Sequence, residues 1–134
     1  MKLSQRIEQR LASHVPVKPF HMRGVKGVIS FTFDDIPRSA LTVGGQILNR
    51  YGAGGTYYVS GGLTGQKEEG LDCHRLDDVR AAVRDGHEVG SHGFSHVRYS
   101  GLTDTEIDQD LERNARFLSE ALGEASPISF SIRS

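Results

Sequence analysis

A mostly parallel α/β fold is predicted from three observations. Strand-like apolar runs alternate with stretches of helical periodicity from residue 27 onward, each helical stretch is closed by glycine, and the unusual polar residues gather just after strand candidates. A complete eight-unit barrel takes roughly 250 residues, about 30 per unit. The 134-residue chain therefore holds about three to four units. That is the front half of a (β/α) barrel, or a small open α/β domain.

Residues 1–26 read as an N-terminal extension: Leu3, Ile7 and Leu11 recur at helical spacing among charged residues, ahead of Pro16 and Pro19. Residues 27–134 form the domain. Val28-Ile29-Ser30-Phe31-Thr32-Phe33 is the first strand, ended by Asp34-Asp35 and Pro37. Ala40, Val43, Ile47 and Leu48 mark a helix to Tyr51, stopped by glycines 52, 54 and 55. Thr56-Tyr57-Tyr58-Val59 is the second strand, followed by a Gly-rich loop to about Leu71. Leu76, Val79 and Val83 give the next helix, ended near Gly86, and His87-Glu88-Val89-Gly90 is a short third strand. Thr103 and Glu106 form a capping box for a long helix whose face carries Ile107, Leu111, Leu118 and Leu122, stopping at Gly123. Ile128-Ser129-Phe130-Ser131-Ile132 alternates as a fourth strand.

Composition removes several classes of function. Sixteen Lys+Arg against 17 Asp+Glu, a net charge of -1, give no electrostatic case for nucleic acid or an anionic membrane. No apolar stretch nears the roughly 20 residues of a membrane span. The first twenty residues are too polar for a secretory h-region, which points to the cytoplasm. One cysteine, Cys73, excludes an internal disulfide and a multi-cysteine metal site. A Walker lysine and a G-x-S-x-G elbow are both absent.

Chemistry concentrates in two segments. Phe31-Thr32-Phe33-Asp34-Asp35 puts adjacent carboxylates at the C-terminal end of a strand, the end where parallel α/β folds build their sites. In Ser91-His92-Gly93-Phe94-Ser95-His96, the histidines are four apart, so on one helical turn both imidazoles face the same way and can grip a metal ion. About two βα units separate the segments, so both open on the same rim. One carboxylate and two imidazoles make a facial set of ligands, and the second carboxylate is left as a base.

These motifs, with Gly55-Thr56-Tyr57-Tyr58-Val59 and Asp85-Gly86-His87-Glu88-Val89-Gly90, resemble the polysaccharide deacetylases (carbohydrate esterase family 4, the nodulation-deacetylase homology domain) over about residues 25–132. The resemblance implies a distorted (β/α) barrel that removes N- or O-acetyl groups from carbohydrates with a divalent metal, zinc first, cobalt or another first-row ion otherwise. It implies Asp34 as general base, and Asp35, His92 and His96 as metal ligands. The implied partner is an acetylated carbohydrate such as a chitooligosaccharide.

The sequence departs from that pattern in places. Gly93 stands where the family has Ser or Thr, whose hydroxyl braces the histidine loop, and Ile36-Pro37 replaces a glycine. The third motif should begin just after Phe130, where the chain reads Ser131-Ile132-Arg133-Ser134. Later motifs have no counterpart, and His14, His21 and His74 lie in the wrong places to replace the family's leaving-group histidine. The expectation is a deacetylase truncated after about half its barrel and nearly inactive alone. The alternatives are a non-catalytic truncated remnant, or a fragment that binds a partner or itself through an open sheet edge, and a metal hydrolase acting on another C–N bond. Cys73 beside His74 reads as a free thiol rather than a metal site. Tyr57, Tyr58, Phe94 and Tyr99 are candidates for stacking on sugar rings, although strand tyrosines more often enter the core.

Overall fold

The computed structural model describes Gly24 and residues 27–123 and 129–131. The helix expected within residues 1–26 lies outside them. Three strands, β1 (Thr32–Phe33), β2 (Thr56–Val59) and β5 (Glu88–Ser91), form a parallel sheet in that spatial order. Thr32 pairs with Thr56, and Thr56 in turn with Glu88. Phe130 then bridges Ser91 in parallel, so the expected fourth strand sits beside β5. Strands laid down side by side in chain order, with helical crossovers, are the start of a barrel wall.

The first strand is shorter than residues 28–33. β2 begins only at Thr56, whose N–H donates to the Phe31 carbonyl at 2.9 Å. Residues 28–30 have no strand partner among the described residues, and Val28 and Ile29 stay 69% and 80% exposed.

The crossover from β1 to β2 is a π-helical turn (Ala40–Gly45) running into α1 (Gln46–Arg50). The wide i→i+5 turn changes the phase of the helix. Leu41, Gly45 and Leu48 face inward, whereas Val43 and Ile47, expected on that face, are 55% and 48% exposed.

The expected Gly-rich loop contains a short 3-10 turn (Gly61–Leu63) and a small hairpin, β3 (Lys67–Glu68) with β4 (Leu71–Asp72). Glu69 and Gly70 both have positive φ, 50° and 82°, as a type I′ turn requires. Helix α2 (Leu76–Arg84) crosses to β5, burying Val79 and Ala82. Its Asp78 accepts from the Arg75 N–H at 3.0 Å and from Arg38 Nε at 2.9 Å, tying the helix start to the loop after β1. Burial alone would raise the Asp78 carboxyl, but Arg38 and the Arg75 amide bring it below its usual range.

Helix α3 (Asp104–Leu122) starts at the expected Thr103–Glu106 capping box. Its buried face is Asp110, Asn114, Leu118 and Ala121, rotated from the expected stripe; Ile107, Leu111 and Leu122 are half-buried. Ile36, Tyr57, Val59, Val79, Val89 and Leu118 are the centre of the core between sheet and helices. Among the described residues, no helix is long and apolar enough to cross a membrane.

Because Leu118 is fully buried and Val43 is not, Leu118→Ala is expected to cost about 2–5 kcal/mol in urea denaturation. Val43→Ala should stay within about 0.5 kcal/mol. Equal losses would mean that the helix faces are assigned wrongly.

Candidate metal centre

Asp34 and Asp35 follow β1 where the chain leaves the sheet. The next residue, Ile36, is 1% exposed and anchors the loop in the core. Asp35 itself takes φ +51°, the left-handed region that non-glycine residues seldom adopt. That conformation turns its carboxylate across the rim toward the histidine loop after β5. Asp34 is exposed, and its Oδ2 accepts from Ser131 Oγ at 3.2 Å.

The loop after β5 begins with His92, whose N–H donates to the Val59 carbonyl at 3.0 Å and whose own carbonyl accepts from Ser60 Oγ at 3.1 Å. His92 and His96 do not share a helical turn. Residues 92–98 are irregular, with Gly93 at φ +72° and His96 at φ +54°. The loop, rather than a helix, aims both imidazoles inward.

Asp35 Oδ1 lies 3.0 Å from His92 Nε2 and in still closer contact with His96 Nε2. All three potential ligand atoms lie within 4.8 Å of one another. The imidazole side chains are 2% and 3% exposed and the Asp35 side chain 52%, so the centre is closed beneath and open above. Burial alone would raise the Asp35 carboxyl, but hydrogen bonds and charge from His96, then His92, hold it below the ordinary value.

The opposite ring nitrogens decide what this convergence means. His92 Nδ1 is 2.8 Å from the Ser131 carbonyl, and His96 Nδ1 is 3.3 Å from Glu68 Oε1. Both neighbours can only accept, apart from a protonated Glu68, and so can the Asp35 oxygen on the Nε2 side, so a neutral ring satisfies only one of its two acceptors. A ring protonated on Nδ1 turns its Nε2 lone pair toward the Asp35 oxygen, and one protonated on Nε2 turns its Nδ1 lone pair toward the acceptor behind it. Such an arrangement is balanced by a second proton on each ring or by a cation among the three atoms. Two imidazole nitrogens and a carboxylate oxygen, with an open side, suit zinc and neighbouring first-row ions.

The brace for this loop comes from α3. Asp110 accepts from the N–H groups of Phe94 at 2.8 Å and Ser95 at 3.0 Å, and from Tyr99 Oη at 2.8 Å. A Cβ on Gly93 would collide with Tyr99 Oη and lie 2.7 Å from Asp110 Oδ2. With its positive φ, the position has no room for the Ser or Thr of the related pattern, and Asp110 and Tyr99 fill that space instead. Burial alone would raise the Asp110 carboxyl, but the hydrogen bonds from Ser95, Tyr99 and Phe94 bring it below the usual range. Burial, then the Asp110 carboxylate, pushes the Tyr99 phenol well up.

One turn further along α3, Asn114 is fully buried. It accepts from the Gly61 N–H at 2.8 Å and donates to the Val59 carbonyl at 2.8 Å and Ser91 Oγ at 2.7 Å, pinning the ends of β2 and β5. A Cβ on Gly61 would meet the Phe117 ring at 2.7 Å, so only glycine lets that strand end approach the helix so closely.

The other singled-out residues have structural places. Phe94 packs edge-on against Phe117 and lies beneath the Arg113 guanidinium, Tyr99 is committed to Asp110, and Tyr57 is fully buried. Tyr58 is half-buried. His74 is 1% exposed, its Nε2 is 2.9 Å from Thr64 Oγ1, and burial pushes its pKa down to about 4. His14 and His21 lie outside the described residues. Cys73 is buried and lines a cavity of about 100 Å³ with Asp35, Pro37, Glu68, Leu71 and His96, but it does not join the ligand cluster. Burial raises its thiol. Glu68, Asp110, Asn114 and Ser131 carry no motif that would mark them in sequence.

A family model described as polysaccharide deacetylase matches residues 21–133. A chitin deacetylase of Arthroderma benhamiae is 30% identical over 89 residues, 66% of this chain and 23% of that protein. The Streptococcus pyogenes deacetylase PplD, solved in complex with acetate, matches with TM-score 0.70 and 21% identity over 96% of this chain and 53% of its own. A family 4 carbohydrate esterase from Streptomyces lividans, also in complex with acetate, gives TM-score 0.65 and 24% identity over 80% and 51%. At those identities the solved structures establish the fold. The chain spans about a quarter of the length of the chitin deacetylase and about half of each of the two solved chains.

Asp110→Asn removes charge from a carboxylate that receives three hydrogen bonds, and is expected to cost about 1–3 kcal/mol at neutral pH. The folded pKa lies below the unfolded value of about 3.9, so this stabilisation is complete above pH ~4 and is lost as pH falls through the folded pKa. The gap between wild type and variant should therefore shrink in acid. A gap independent of pH in urea titrations would contradict the brace.

Proposed function

The chain belongs to the polysaccharide deacetylase family, and we propose that it carries that family's metal-dependent removal of acetyl groups from carbohydrate. The observation that carries the proposal is the meeting of Asp35, His92 and His96 with their Nε2 and carboxylate atoms turned to one point. Those three residues would hold the cation. Zinc fits the donor set best, with cobalt or another first-row ion able to replace it. A bound divalent ion supplies Lewis-acid polarisation of the acetyl carbonyl and a lowered pKa for water.

Asp34 is the base in this reading. It follows the strand directly before the ligand carboxylate, is exposed, and accepts a hydrogen bond from the Ser131 hydroxyl. It takes a proton from water as the oxygen attacks the acetyl carbon, and that proton is passed to the leaving nitrogen or oxygen as the carbon–nitrogen or ester bond breaks, giving acetate and the free amine or hydroxyl. The cavity beside Asp35, about 100 Å³ and partly walled by Pro37 and Leu71, suits a small group with an apolar end such as an acetyl. Chitooligosaccharides are the substrate class proposed first, on the similarity to a chitin deacetylase.

A second reading is favoured by the exposed sheet edge at Phe130, which bridges Ser91. In it, the chain binds metal without turning over alone and associates through the sheet edge beside Phe130, which is 66% exposed.

Purified wild type should retain zinc in equimolar amount, measured by plasma mass spectrometry. Asp35→Ala and His92→Ala should lose it, while Asp34→Asn keeps it. With zinc or cobalt added, wild type should release acetate from chitooligosaccharides, and Asp34→Asn should do so about 10²–10⁴-fold more slowly. Undiminished metal in Asp35→Ala would overturn the ligand assignment. Bound metal without acetate release would favour the second reading.

A further inference from the structure

Each imidazole that offers Nε2 to a cation must keep its proton on Nδ1, and when the ring is buried that proton needs an acceptor. His92 has the Ser131 carbonyl. His96, whose side chain is 3% exposed, has the carboxylate of Glu68, 3.3 Å away.

Glu68 belongs to neither ligand loop. It lies on β3 of the small hairpin, which is closed by the Cys73 N–H donating to the Gln66 carbonyl at 3.0 Å and by a Lys67–Asp72 ion pair at 3.5 Å. The base of the hairpin is fastened to the other ligand loop. Pro37 bridges Cys73, and the His74 N–H donates to the Ile36 carbonyl at 3.3 Å. The hairpin thus spans from the residues just after Asp35 to the outer nitrogen of His96.

We propose that Glu68 is a positioning residue of the metal centre, taking the Nδ1 proton of His96 and thereby holding Nε2 toward the point shared with Asp35 and His92. This rests on the metal-binding reading above and adds a residue to it. Glu68 addresses the ring nitrogen turned away from Asp35, so it acts through His96 and not as a ligand. The same hairpin sets His96 and Asp35 against each other, so that the two ligand loops keep their spacing before any cation arrives.

The test uses the full chain loaded with cobalt(II), by affinity titration and by proton NMR of the paramagnetically shifted region. Wild type should show an exchangeable Nδ1–H signal for each coordinated imidazole. Glu68→Ala should weaken cobalt and zinc binding about 10–100-fold and broaden or remove the His96 signal, leaving that of His92. Glu68→Gln keeps an acceptor oxygen and should restore most of the affinity and the signal; it also serves if Glu68→Ala does not fold. Tight binding with both signals intact in Glu68→Ala would overturn the inference and leave the metal reading standing. Glu68→Gln as weak as Glu68→Ala, with the His96 signal retained, would make Glu68 a ligand and overturn the positioning role. A wild-type chain that binds no cobalt would overturn the metal reading itself.

Discussion

Two buried imidazole nitrogens and one carboxylate oxygen meet at a point, although 57 residues separate Asp35 from His92. Their Nδ1 atoms face acceptors as well, so each neutral ring leaves one acceptor facing a lone pair. Such a constellation is costly unless positive charge sits inside it. Much of the fold can be understood as the apparatus that keeps these atoms together. The parallel sheet delivers both loops to the same rim. The buried Ile36 fixes one loop, the hairpin spans the gap, and the left-handed backbone of Asp35 and His96 turns the side chains inward.

The second part of that apparatus is a polar stripe on a helix that would be expected to bury only apolar groups. Asp110 and Asn114 cost desolvation, and each is compensated by a set of hydrogen bonds from strand ends and loop amides. A leucine at either position would fill space but leave those amides without partners. The stripe therefore specifies where β2, β5 and the histidine loop end, while Leu118 and Ala121 below it supply the hydrophobic contact.

This division explains what could be read from sequence. The order of strands and helices, the Thr103–Glu106 cap and the grouping of acids with histidines follow from local patterns of period, capping and spacing. The inward face of α3 does not, because hydrophobic periodicity picks Ile107 and Leu111 while tertiary hydrogen bonds bury Asp110 and Asn114. The π turn defeats a period of 3.6 in the same way, leaving Val43 outside. The hairpin has strands of two residues and a Glu69-Gly70 turn, too little signal for an alternation test. Histidines four apart can be brought together by a loop as well as by a helix. Gly93 reads as a missing brace until Tyr99 and Asp110 are seen in its place. Glu68 has no sequence relation to His96 and is found only through space.

The most direct test of the shared-cation account is the anomalous density of zinc or cobalt in a crystal of the loaded chain. A shared cation gives a single strong peak about 2.0–2.2 Å from an Asp35 carboxylate oxygen and from Nε2 of both His92 and His96. A peak elsewhere, or one bound by only one of the imidazoles, would contradict it.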